Sequence, residues 1–165
     1  MKTSTLVILS ILLSFGQLPE NKDYRINDVL GLEGDELFEA IIGREKGKVV
    51  LVDFWFTGCP PCRVANARFE PRKSAFDPEQ VTFIYITTES ASPLDAWLTM
   101  IPELSGEHYM LNNRQYSYLV RRLDVAVRGY PSYLILNRDG EKTFFQTGFP
   151  GARSLSGKIN EALAK

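Results

Sequence analysis

Cys59 and Cys62 are the only cysteines in a sequence of 165 residues, and they stand three positions apart in Cys59-Pro60-Pro61-Cys62. Across one turn of helix that spacing brings the two side chains within disulfide reach. The chemistry it permits is thiol–disulfide exchange, in which one cysteine attacks as thiolate and the other resolves the mixed disulfide. Pro60 suits a first helical position, where a missing N–H costs nothing. Cys59, at the mouth of that helix, gains from the positive end of its dipole and is the expected nucleophile. Cys62, one turn in, is the expected resolving thiol. The two prolines remove amide donors from the first turn, and no His or Lys lies between the cysteines. That predicts only moderate stabilisation of the thiolate, and a pair that reduces its substrates rather than oxidising them. The alternative use of a Cys-x-x-Cys is half of a zinc site. Zinc wants four ligands, and the chain has no second cysteine pair and a single histidine, so no metal is expected. The Cys59–Cys62 pair is then the redox group by itself, with no further cofactor.

The element that must position the pair is the apolar run Val49 to Phe56 just before it. It is rich in valine and aromatics and too short for a typical helix, so it reads as a buried central strand. Asp53 interrupts it. On a strand Asp53 shares a face with Trp55 and opposes Val52 and Phe54. Burial there would raise its pKa and let it exchange a proton with Cys62; the alternative is a polar residue bonded to backbone. Trp55 would shield the site or fill core. A second buried strand, Val81 to Thr87, runs out into Thr88-Glu89-Ser90. Strand C-terminal ends face the active side of an open α/β sheet, which makes Glu89 a candidate neighbour of the cysteines or else a solvated loop charge.

Around these strands the sequence alternates. A helix is predicted after Gly34-Asp35 with Leu37, Phe38, Ile41 and Ile42 on one face, and another after Pro60 with Cys62, Ala65 and Phe69, ending or kinking near Pro71. Ser92-Pro93 opens a helix with Leu94, Trp97, Leu98 and Ile101 inward. His108 to Leu111 reads as a short strand, with His108 a surface or strand residue, and Asn113 to Leu123 as a helix. Ser132 to Leu136 and Lys142 to Thr147 form a hairpin over Asn137-Arg138-Asp139-Gly140, before a last helix through Leu155, Ile159, Ala162 and Leu163. The order predicts an α/β layered fold with a mixed sheet.

Composition is ordinary for one globular domain, with 44% apolar and 24% charged residues. The net charge of -1 gives no reason to expect nucleic acid or an anionic membrane as partner. Met1 to Thr5 is short and basic, and Leu6 to Phe15 is a ten-residue apolar run, too short to span a bilayer but suited to a secretory signal. Cleavage near Gly16 is expected, with an uncleaved anchor as the alternative. The division expected is a signal peptide over 1–16, an arm or linker over 17–33 and the domain over 34–165. Export to the periplasm or cell envelope would place the pair where disulfide chemistry persists.

Leu51-Val52-Asp53-Phe54-Trp55 followed by Cys59-Pro60-Pro61-Cys62-Arg63 resembles the active-site segment of thioredoxins. From about Gly47 to the C-terminus the chain is most similar to the TlpA/ResA-like thiol-disulfide oxidoreductases. The resemblance implies a thioredoxin fold, a central mixed β-sheet flanked by helices on both faces. It implies a buried proton-exchanging carboxylate at Asp53 and a dithiol-tuning carboxylate at Glu89. Gly129-Tyr130-Pro131-Ser132 resembles the family's loop facing the cysteines, which implies a cis Pro131 and a Tyr130 backbone that pairs with an extended substrate. Tyr130 departs from the Thr, Val or Ile common before that proline, and its bulk would narrow what docks. Gly58 departs from the Trp common before the first cysteine, which would leave Cys59 more open. The implied partners are protein thiols and disulfides, apocytochromes among them, and a membrane-bound electron donor. Two other readings share the fold or the motif: a thiol peroxidase, and a dithiol metal-binding or redox-sensing module.

Overall fold

The structure, a computed structural model, describes residues 23–165. The candidate signal over 1–16 lies outside the described residues. At the centre is β2 (Val49–Phe54), buried at all six positions because strands pair with it on both sides and helices cover both faces. It runs parallel to β3 (Val81–Thr88), and β3 runs parallel to β4 (Gly106–Leu111). On the other side it pairs antiparallel with β5 (Ser132–Leu136), which turns back into β6 (Lys142–Thr147). With β1 (Tyr24–Ile26) at the far edge the strand order is β1-β4-β3-β2-β5-β6, a mixed sheet as expected.

The alternation along β2 sorts its side chains. Val50, Val52 and Phe54 join Leu37 and Ile41 of α1 (Gly34–Ile41) and Leu119 of α4 (Asn113–Arg122) in one core. Val49 and Leu51 face Ala65 and Phe69 of α2 (Pro60–Phe69) and Leu155, Ile159 and Ala162 of α5 (Ala152–Leu163) in the other. Helices therefore lie on both faces of the sheet. Asp53 shares the α2 and α5 side, where its strand alternation sends it.

Local chemistry sets the element ends. Pro71 does stop α2: the helix ends at Phe69 and tightens into a 3-10 turn over Glu70–Ala75. A capping box between Asn112 and Gln115 opens α4. In the β5–β6 turn the Asn137 side-chain oxygen accepts from the Asp139 and Glu141 N–H groups, and Gly140 takes a φ of 80°.

Two expectations change. Tyr24–Ile26, polar and without periodicity, forms a strand because its backbone pairs in parallel with β4, Tyr24 opposite Gly106. Backbone pairing leaves no hydrophobic pattern to read. In α3 (Leu94–Met100) only Trp97 and the following Ile101 turn inward, while Leu94 and Leu98 are 58% and 45% exposed. The four lie within about 100° of helical arc, and this short helix meets the sheet along one side of that arc. Among the described residues no helix is long and apolar enough to cross a membrane.

Candidate active site

The end of β2 leads into the dithiol through a short turn. Trp55 N–H still bonds Ile86 O of β3 at 3.1 Å, and Cys59 N–H closes back on Phe56 O at 3.2 Å. Cys59 is then the N-cap of α2, in extended conformation, with Pro60 and Pro61 in the first helical positions. Neither proline has an N–H, so Cys62 supplies the first amide proton of the helix, and it donates to Cys59 Sγ at 3.2 Å. The two cysteines form a disulfide with Cα atoms 5.3 Å apart. The open Cys59 expected from Gly58 is not found: Cys59 is 2% exposed and Cys62 is fully buried. Trp55, Tyr85, Trp97, Ile101 and Leu104 cluster with the pair, and Phe56 and Tyr130 pack against that cluster. Around the sulfurs it is Gly58, Pro60 and Pro61 that reach solvent.

The Tyr130–Pro131 bond is cis, as the resemblance implied. Ser132 Oγ donates to Gly129 O at 2.7 Å across the bend, and Pro131 O accepts the Gly148 N–H at 2.8 Å. The Tyr130 N–H and C=O take no part in the backbone hydrogen bonds among the described residues, which leaves them open to an extended strand. The Tyr130 ring stands edge-on to Phe56, centroids 5.2 Å apart, and its hydroxyl lies 3.3 Å from that of Tyr116 on α4. Two expected site residues move out of substrate contact. Trp55 is 1% exposed and packs edge-on to Tyr85, so it fills core behind the disulfide. Glu89 does follow β3 at the active end of the sheet, but it is exposed and bonds Leu111 O of β4 through its N–H. Its carboxylate makes no hydrogen bond or ion pair among the described residues and faces solvent.

Asp53, one residue before the end of β2, is 4% exposed and in register with Tyr85 on β3 and Tyr133 on β5. Asp53 Oδ1 and Tyr133 Oη are both buried, and among the described residues neither meets a partner in good hydrogen-bond geometry, although the Tyr133 hydroxyl lies close enough to the carboxyl to act on it. Burial pushes the Asp53 carboxyl up to about 8, against a smaller opposing pull from the Lys73 ammonium and the Tyr133 hydroxyl. Lys73 comes from the 3-10 turn after α2 and is itself buried. It pairs with Glu70 at 2.8 Å, reaches Tyr85 Oη at 2.5 Å and donates to Ser105 O. Burial alone would raise the Glu70 carboxyl, yet Lys73 and the Ser105 N–H together hold it below its ordinary value. The site thus holds a carboxyl that titrates close to neutrality next to a buried ion pair.

His108, expected at a surface or in a strand, is in β4 and fully buried. Its ring stacks on Tyr85 at 4.7 Å, Nε2 donates to Leu104 O at 2.8 Å, and Nδ1 has no partner among the described residues. Burial lowers its pKa to about 4. The unfolded chain therefore binds a proton here between pH 6.5 and 4 that the fold refuses, so stability is present above pH 6.5 and is lost as pH falls through 4. The loss amounts to roughly 3 kcal/mol across that window. Urea melts of wild type and His108→Phe from pH 7 to 4 check this: the stability of wild type relative to the variant is expected to fall by roughly 3 kcal/mol across that range, while the opposite slope from Asp53 is common to both.

Sequence reading missed Lys73, Tyr85 and Tyr133. A lysine fourteen positions beyond Cys59 carries no motif, and the tyrosines read as strand filling. Their alternation with Asp53 across three strands becomes visible only once the register is known.

The comparisons with known proteins agree with this geometry. A family model described as a thioredoxin-like domain matches residues 39–163. A thioredoxin of Coprinus comatus is 33% identical over 48 residues, which span 29% of this chain and 45% of that protein, so the match covers less than half of the relative's length. Among solved structures, a thiol:disulfide interchange protein of the thioredoxin family from Chlorobium tepidum TLS superposes with a TM-score of 0.63 at 19% identity, covering 73% of this chain and 83% of that one. A putative thiol:disulfide interchange protein DsbE from Chlorobium tepidum gives 0.57 at 20% identity over 73% and 84%. StoA from Bacillus subtilis gives 0.54 at 18% over 68% and 83%. At these identities the superpositions show the fold alone.

Proposed function

The chain belongs to the thioredoxin-like domain family, and from that premise we propose that it is a thiol-disulfide oxidoreductase with Cys59 as nucleophile and Cys62 as resolving thiol. The observation that carries this reading is the Cys59–Cys62 disulfide at the N-cap of α2, with the Cys62 N–H on Cys59 Sγ and the Tyr130–Pro131 loop packed against it. In the reducing direction Cys59 thiolate attacks a substrate disulfide, forms a mixed disulfide and releases the first substrate thiolate. Cys62 then gives its proton to Asp53 and attacks Cys59 Sγ. The enzyme disulfide closes and the second substrate thiolate leaves. Substrate backbone pairs beside Tyr130, and the Tyr130 ring limits the bulk next to the substrate cysteine.

The reducing direction rests on the first turn of α2, where Pro60 and Pro61 leave Cys59 one amide donor from that turn instead of several. The apolar run Leu6 to Phe15 supports export and work in the cell envelope. A reductant there must be recharged, so a membrane-bound donor of electrons belongs to the reading, and the substrates are protein disulfides of the TlpA/ResA-like kind, apocytochromes included. Two rivals stand further off. A peroxidase would not keep its peroxide-reactive cysteine one turn from its resolver. For a metal module, no group of three His, Cys, Asp or Glu side chains among the described residues could hold an ion.

The wild-type protein, reduced by dithiothreitol, is expected to accelerate precipitation of insulin as its disulfides open, and to consume hydrogen peroxide no faster than a free thiol. Cys62→Ser is expected to trap substrates as mixed disulfides on Cys59. Peroxide turnover without insulin reduction would defeat the reading in favour of the peroxidase.

A further inference from the structure

Ser92, in the turn between β3 and α3, is fully buried and reaches across to the segment that carries Cys59. Its Oγ accepts the Thr57 N–H at 3.0 Å and lies 2.7 Å from Thr87 Oγ1 at the end of β3. One hydroxyl proton is shared between Ser92 and Thr87, while a lone pair of Ser92 Oγ takes the Thr57 N–H. Its own N–H is held by Thr88 O at 2.9 Å, so the hydroxyl is anchored to the sheet. Thr57 stands two residues before Cys59. Between the Trp55 N–H to Ile86 O bond and the start of α2, two hydrogen bonds from backbone N–H groups hold the segment among the described residues. One is internal, Cys59 N–H to Phe56 O, and the other is the bond to Ser92. The oxidised protein has a third tie, the disulfide itself. On reduction that tie is gone, and the prolines at the first two helical positions offer no amide to replace it.

We propose that Ser92 is a positioning residue for disulfide exchange: through Thr57 it holds the reduced Cys59 Sγ at the Cys62 N–H. The proposal rests on the assignment of Cys59 as nucleophile. A thiolate is stabilised by that amide only while the sulfur stays within hydrogen-bond distance, and the bond is charge-assisted and directional. Without the clamp the reduced segment drifts and the thiolate loses its donor. Loss of the hydroxyl also orphans a buried N–H, so a fall in stability by itself would not distinguish clamp from filler.

The discriminating readout is the thiolate. In the full chain carrying Cys62→Ser, one thiol titrates, and its absorbance at 240 nm and its alkylation by iodoacetamide are followed from pH 5 to 10. Ser92→Ala is expected to move the titration to higher pH and slow alkylation at pH 7 by roughly tenfold, with the rate at high pH unchanged. Thr87→Val keeps the Thr57 bond but removes the partner that orients Ser92; it is expected to shift the titration the same way by less, and Ser92→Thr to restore it. The other titratable groups near the pair, Tyr85 and Tyr130 with Asp53 on β2 and Arg63 on α2, are common to all variants, so a difference between them reports the clamp. A Ser92→Ala protein that melts lower yet titrates with its parent overturns the proposal, as does an unshifted Thr87→Val if Ser92→Ala does not fold. Absence of insulin reduction by wild type would instead overturn the functional reading, while alkylation of Cys59 still reads the clamp.

Discussion

Asp53→Asn is expected to stabilise the oxidised protein by on the order of 3–5 kcal/mol at pH 7–8, and to slow resolution of the mixed disulfide by on the order of a hundredfold. The two effects have one cause. In the fold the Asp53 carboxyl is raised to about 8 by burial, whereas in the unfolded chain it titrates near 3.9. Between those values the native state holds a proton that the unfolded state has released, so this group's contribution to stability is complete below about pH 4 and is lost as pH rises through 8. Asparagine has nothing to ionise. Its advantage over aspartate should therefore grow from pH 4 to pH 8 and vanish in acid, which urea melts across that range measure directly. The same substitution removes the base that takes the Cys62 proton, so single-turnover release of a substrate thiol should slow even though the fold is stronger. A variant that is neither more stable at pH 8 nor slower would place Asp53 outside the mechanism.

The second large effect is at the sulfur itself. Cys59→Ser is expected to lower the rate of disulfide exchange by on the order of a thousandfold or more, because a serine hydroxyl is not ionised near neutral pH and cannot form the mixed disulfide. Folding should survive: serine keeps the N-cap role, for which its oxygen is well suited, and the Cys62 N–H retains an acceptor. Cys62→Ser gives the contrasting outcome, one attack and no release. Gel shift of trapped adducts in the Cys62 variant, and their absence in the Cys59 variant, separates the two roles assigned to the pair. Adducts formed by Cys59→Ser through Cys62 would reverse the assignment.

Much of the site was legible in one dimension. The Cys-x-x-Cys spacing, the strand before it and the prolines at the helix start are contiguous, and their consequences are local: a disulfide across one turn, an N-cap cysteine, a helix stopped near Pro71. Asp53 could be singled out because a carboxylate interrupting an apolar strand is anomalous wherever the strand lies. The cis bond before Pro131 came from the likeness to a family, since nothing in the residue types of that turn demands it.

What the chain alone determined, then, is the chemistry and its reach along the backbone; what surrounds the sulfurs was decided by strand order. Placing β3 and β5 on either side of β2 puts Tyr85 and Tyr133 beside Asp53, and the turn after α2 brings Lys73 beneath them. Parallel pairing with β1 and β3 buries His108, which as a polar residue beside Glu107 at the start of the expected strand gives no sign of burial. The same packing closes over Cys59 where Gly58 promised an opening, turns Trp55 into core and leaves Glu89 in solvent. Each of these depends on contacts between residues dozens of positions apart. Burial and electrostatic neighbours are sums over such contacts, so they follow from the tertiary arrangement and not from local spacing.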